Sequence, residues 1–483
     1  MTLMQLPVEV LEQVVSHTLP EGFESLALTS KFLYTLCIPF LEHHNTLRRH
    51  FRDFRYCKTD IPFRYHHELL RFPDTATSAF NLISRIAIEP NVGRYILNAD
   101  FSGDSRLYSR FTHPERLETT YEDRDEAVRR LLADSPYMRE AGLDWREYYS
   151  VMMEDVNHCR YSQHAAAFVL TLLPNLQRFQ PSPLWNPTPT TEKLVAATIH
   201  VARRTNHNTA SLAQVTAFEE TVGEYESSWA TSIVALPRIQ LLESGGHRGK
   251  LYDNKYLCPG FNSKVERVWF LHTSIDAVAI ADFLKHTPCL KSLTYWHSTR
   301  ASMGHQNWDL CGFIAAVERE VGGHLEKFSA ITTERRCVIS AGKPYLRRFQ
   351  RLQSLELSLD IVIGGLKAAE LAGHGPLDSG SLLGDLIPAS VSELSLFSPG
   401  KTPHDKALGL LFHDFATQKQ LLKLNLKEIY LTCPGDADDS YKAQCTNLAA
   451  ETEKVGVDLV LTETPTPIST VSIDADVCYP DYE

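Results

Sequence analysis

The chain has 483 residues, 43% hydrophobic and 22% charged, with 48 Lys and Arg against 59 Asp and Glu and a net charge of −11. That length exceeds one compact core, so two or more units or an elongated repeat are expected. The acidic balance excludes a non-specific nucleic-acid binder, which needs a basic surface to displace counterions.

Leu6, Val10 and Val14 stand four apart, which predicts one face of a first helix. Pro7 is expected inside its first turn, where a missing N–H costs nothing. Pro20 and Gly22 stop that helix. Leu26, Thr29-Ser30, Leu33 and Leu36-Cys37 start a second apolar stripe, and Pro39-Phe40-Leu41 opens a third short segment. Helices this short bury too little surface to stand alone, so the unit finishes its core against a neighbour or a partner.

These residues resemble an F-box, the module through which substrate receptors of SCF-type ubiquitin ligases dock on a Skp-family adaptor. The matching positions are Leu6-Pro7, Glu9, Val10 and Val14, then Thr29-Ser30-Lys31 before Phe32. Many members carry a Trp in this helix, whereas the present chain has Phe32-Leu33-Tyr34. The resemblance implies that Leu6, Pro7, Val10, Val14, Leu26, Leu28, Ser30, Phe32 and Leu33 contact or shape an adaptor interface.

Leu47 to Tyr65 reads as a linker helix, and Phe80 to Ile88 alternates as a first strand. Asn91 to Ile96 starts a helix, and residues 99–125 are polar enough for a surface loop. Asp125 to Leu132, Trp145 to Cys159 and Gln163 to Leu173 are spaced as helices, the last ended by Pro174. A pattern close to Leu-x-x-Leu-x-Leu then recurs. It is read at Asn175 to Phe179, Val265 to Leu271, Cys289 to Tyr295, Leu325 to Ser329, Leu352 to Leu357, Val391 to Leu396 and Leu422 to Leu426. The alternating half predicts a short strand with one face buried, and one such unit cannot cover that face unless its neighbours stack on it. The stretch resembles the irregular leucine-rich repeats behind fungal-type F-box proteins. Pro181 to Pro189, Leu242 to Lys255, Ala368 to Gly384 and Pro434 to Tyr441 read as loops, and the acidic tail from Thr464 as disordered.

No catalytic constellation emerges. Gly245-Gly246-His247-Arg248-Gly249-Lys250 is one residue short for a phosphate loop and continues with Leu251. His66-His67-Glu68-Leu69-Leu70-Arg71 lacks the second His of a zinc-protease helix. Asp436, Asp438 and Ser440 alternate as in a calcium loop, but Tyr441 stands where Gly is needed. Ten scattered cysteines without a Cys-x-x-Cys pair suit a reducing compartment, and no apolar run reaches membrane-span length.

The expected fold class is α/β, with a three-helix F-box-like unit (1–46), a linker helix (47–79), an irregular leucine-rich-repeat solenoid (80–462) and an acidic tail (463–483). The resemblance implies a non-catalytic substrate receptor that binds a Skp-family adaptor, and through it a cullin–RING ligase, and holds an unknown protein target on its repeats. The alternative is a leucine-rich-repeat scaffold with no ligase role. No cofactor, metal, nucleic acid or membrane is expected, and the compartment is intracellular, cytoplasmic or nuclear. Trp185, Trp269, Tyr295, Trp296 and Trp308 are candidate target anchors or core residues.

Overall fold

The computed structural model describes residues 3–56, 76–104, 121–158, 160–204, 210–219, 233–245, 248–249, 263–297, 307–332, 338–342, 345–371 and 379–463. The zinc-protease-like stretch at His66, most of the 99–125 loop and the tail from Thr464 lie outside them. The chain is mixed α/β and divides into two compact units, 1–242 with 254–259, and 243–253 with 260–483.

The first unit begins with helices α1 (Val8–His17), α2 (Phe23–Thr29) and α3 (Lys31–Phe51). Pro7 is the N-cap of α1 rather than part of its first turn, so Leu6 precedes the helix it was expected to join. Pro39 opens no third segment, because it sits inside one 21-residue α3. Residues 57–75 of the expected 47–79 linker helix lie outside the described residues, and the part before them is divided between two elements. Leu47 and Phe51 end α3, and Asp53–Arg55 forms strand β1 directly after it. Helix α4 (Ala79–Ile88) replaces the strand expected there. Ser78 accepts the Asn81 N–H at its start, and the buried Ala79, Leu82, Ile83 and Ile86 recur at helical, not strand, spacing. Helix α5 (Asn91–Tyr95) follows as expected.

Strands β2 (Asn98–Asp100), β3 (Arg178–Gln180) and β4 (Ala217–Glu219) join β1 in parallel order β1-β2-β3-β4. β5 (Leu241–Gly245) lies where the two units divide.

In the second unit the strands are β6 (Arg248–Gly249), β7 (Arg267–Ile275), β8 (Ser292–His297), β9 (Asn307–Trp308), β10 (Lys327–Thr332), β11 (Val338–Ile339), β12 (Ser354–Ser358), β13 (Glu393–Phe397), β14 (Glu428–Thr432) and β15 (Asp458–Thr462). An open parallel sheet runs β7-β8-β10-β12-β13-β14-β15, while β6 pairs with β7 and β9 with β11. Residues 242–255, expected as one loop, therefore contain parts of two strands. Near the C-terminus, helix Asp439–Lys454 takes up Ser440 and Tyr441 of the expected calcium-like turn.

One pattern recurs in strands of both units, β15 excepted, where Leu459 is half-buried and Leu461 exposed. An apolar side chain two residues before the strand, and others at its second and fourth positions, are buried. Phe51-Phe54-Tyr56, Leu290-Leu293-Tyr295, Leu352-Leu355-Leu357 and Val391-Leu394-Leu396 are examples. The carbonyl of the residue just before a strand commonly accepts two backbone N–H groups from the next one, as Glu266 does from Lys291 and Ser292, and Glu326 from Gln353 and Ser354, whereas Lys427 accepts only from Asp458. These paired bonds fix the register and satisfy backbone groups that burial would otherwise orphan. The last repeat corrects the sequence reading by four residues. Leu422–Leu426 is not a strand, and the pattern is Leu426-Ile429-Leu431 with β14 starting at Glu428.

Candidate functional site

The three-helix unit has its own closed core. Val15, Leu19, Phe23, Ala27 and Cys37 are buried together, with Leu26, Leu36, Phe40 and Leu41 packed against them. Two turns of local chemistry set the helices. The Pro7 carbonyl accepts the Val10 and Leu11 N–H groups, both at 3.1 Å, and the Ser30 Oγ accepts the Leu33 N–H at 3.2 Å to start α3.

The unit is anchored to the rest of its half of the chain by polar contacts. Arg94 pairs with Glu21, and the Asn175 side-chain amide donates to both Glu21 Oε1 (2.5 Å) and the Arg94 carbonyl (2.7 Å). His43 Nε2 meets Glu89 Oε1 at 2.6 Å. His44 is buried against the Phe23 ring (centroids 4.6 Å apart), and its Nδ1 lies 2.7 Å from the Tyr95 hydroxyl. Desolvation lowers the His44 pKa, partly opposed by Glu24.

The expected adaptor residues separate into three classes of position. Leu33 is core at 3% exposure. Leu6, Val14, Leu26 and Ser30 are half-buried, Leu26 as part of the packing and Ser30 as a helix cap. Pro7, Val10, Leu28 and Phe32 are exposed, Leu28 at 85%. Sequence reasoning missed Val8, Tyr34 and Ile38, which are also exposed and apolar. Tyr34 and Ile38 stand four apart on α3, a spacing readable once α3 is seen to pass through Pro39. The unit thus combines a filled core with a set of large apolar side chains left exposed among the described residues.

The face of the second unit's sheet opposite the leucine core carries a mostly polar row, in which Thr294, Ser329, Glu356 and Ser395 are buried and Trp269 and Tyr430 half-buried. In register across neighbouring strands stand Trp269, Thr294, Ser329, Glu356, Ser395 and Tyr430. They alternate with core residues and so project from the other face. Of the aromatic candidates, Trp269 and Trp296 are half-buried, whereas Trp185, Tyr295 and Trp308 are buried and belong to the interior. Among the described residues no group of three or more His, Cys, Asp or Glu could hold a metal ion, and no helix is long and apolar enough to cross a membrane. No family model matches the chain, and no curated protein matches it.

Proposed function

We propose that the protein is a substrate receptor of an SCF-type ubiquitin ligase. Its N-terminal three helices dock on a Skp-family adaptor, and its repeat sheet holds a target protein. The observation that carries this reading is the set of exposed Val8, Val10, Leu28, Phe32, Tyr34 and Ile38 on a unit whose core is already full. Burying one such side chain contributes roughly 1.5–3 kcal/mol, so a few of them suffice as anchors of a helical interface. The recurrent apolar triplets and sequential parallel strands support the leucine-rich-repeat part of the reading. The receptor's contribution is positioning: a target lysine held near a conjugating enzyme reacts at high effective concentration.

Affinity purification of the full chain from its native cell, read for adaptor and cullin, tests this. Both are expected in the eluate. Absence of adaptor overturns the reading, and adaptor without cullin reduces it to an interaction scaffold.

A further inference from the structure

A pocket in the first unit plays no part in the docking surface. It lies where the chain leaves the carboxyl ends of β1, β2 and β3, the end at which open parallel sheets form ligand crevices. Tyr56, Phe101, Tyr161 and Trp185 line it together with Asp104 and Ser182, around a cavity of about 10 Å³. That is room for one water-sized group. The Tyr56 and Phe101 rings stand 5.5 Å apart.

Asp104 is the only acid among the described lining residues and is 7% exposed. Its Oδ2 accepts the Ala79 N–H at 2.9 Å, at the start of α4, and the Ser182 hydroxyl donates to its backbone carbonyl at 2.8 Å. Among the described residues no Lys, Arg or His forms an ion pair with it. Burial pushes the Asp104 carboxyl up to about 7, against the Ala79 N–H, which acts to lower it. Burial, and then the nearby Asp104, raise the Tyr56 and Tyr161 hydroxyls. A buried carboxylate without a cation is costly, and aromatic rings attract an ammonium group.

We propose that this pocket binds a primary ammonium group, either a lysine side-chain head or a chain N-terminus, with Asp104 as its counter-ion and the rings of Tyr56, Tyr161 and Trp185 as its walls. An ammonium head is about the size of the water the cavity admits, and a trimethylated head is larger. The proposal does not depend on the adaptor reading.

Isothermal titration of the full chain at pH 7.5 tests it, with N-acetyl-lysine amide and glycinamide as separate probes. Saturable one-to-one binding is expected for one of them, and which one binds tells a side-chain from an N-terminal ligand. N-acetyl-trimethyllysine amide should bind at least about tenfold more weakly than N-acetyl-lysine amide if the side-chain head is the ligand. Asp104→Asn keeps an oxygen for the Ala79 N–H and should weaken binding about ten- to a hundred-fold. Binding by the unaltered protein should also weaken toward about tenfold per pH unit as Asp104 protonates below pH 7. This profile decides the matter if Asp104→Asn fails to fold. No saturable heat from either probe at millimolar concentration, equal binding by Asp104→Asn, or a flat pH profile overturns the proposal. Asp104 is then only the acceptor at the start of α4, beside a trapped water.

Discussion

The Ser329 hydroxyl donates to Glu356 Oε2 at 2.6 Å across neighbouring parallel strands, on the sheet face opposite the leucine core. Glu356 is buried, and desolvation pushes its pKa from 4.5 to about 7 even though the Ser329 bond acts to lower it. The folded state therefore holds a proton that the unfolded chain has released between pH 4.5 and 7. Stability from this group is fully present below pH 4.5 and is lost as the pH rises through 7. Glu356→Gln keeps an acceptor for Ser329 without the charge. It should stabilise the protein at pH 8 by an amount on the order of 2–3 kcal/mol and change little at pH 4.5. Urea denaturation of both proteins at the two pH values checks this. An equal difference at both would mean that Glu356 titrates normally.

Leu28 and Leu33 lie five residues apart and make opposite predictions. Leu33 is in the core, so Leu33→Ala should cost about 2–5 kcal/mol and lower adaptor binding only by unfolding the unit. Leu28 is almost wholly exposed, so Leu28→Asp should change stability by no more than about 0.5 kcal/mol while abolishing adaptor capture. Thermal melts and pull-down of the same preparations separate the two effects. Capture that survives Leu28→Asp would remove the docking role of this surface.

The repeated strands were readable because a buried parallel strand needs its apolar residues at fixed offsets, and Leu352-Leu355-Leu357 and Val391-Leu394-Leu396 keep those offsets plainly. The errors came where two periods overlap. Phe80 to Ile88 contains enough apolar residues to alternate, but the set that is buried follows the helical period started by the Ser78 cap. Leu422, Leu424 and Leu426 also alternate, yet the first two belong to the turn after helix Phe415–Leu421. Pro39 stayed inside α3 because packing of Leu33, Cys37, Leu47 and Phe51 along one face outweighs one lost hydrogen bond. The exposed apolar residues were partly visible, since Leu28 and Phe32 fall in the stretch that resembles an F-box. The Asp104 pocket was not, because its lining comes from segments more than a hundred residues apart that only the sheet brings together.

Ser30 serves the fold before it serves any partner. Its Oγ accepts the Leu33 N–H and so sets where α3 begins and where Phe32 points. Ser30→Ala should cost about 0.5–2 kcal/mol, and Ser30→Asp should restore most of it. Adaptor affinity should fall in Ser30→Ala and recover in Ser30→Asp. Loss of affinity in both, with stability restored in the second, would show that the hydroxyl itself contacts the partner.

Leu421 and Leu426 test the register of the last repeats. Alternation alone gives every Leu from 422 to 426 a strand position, whereas the structure puts Leu426 two residues before β14, in line with Val391 before β13. Leu426 is 1% exposed and Leu421 is 76% exposed. Leu426→Ala should therefore lower unfolding free energy by about 2–5 kcal/mol, and Leu421→Ala by less than about 0.5 kcal/mol. Because each repeat covers its neighbour's apolar face, the loss at Leu426 should also raise amide exchange at Leu394 and Leu396 of β13. Hydrogen exchange read by mass spectrometry resolves this. Exchange confined to β14 would mean that the terminal strands open independently and that the stacking argument fails for this end of the sheet.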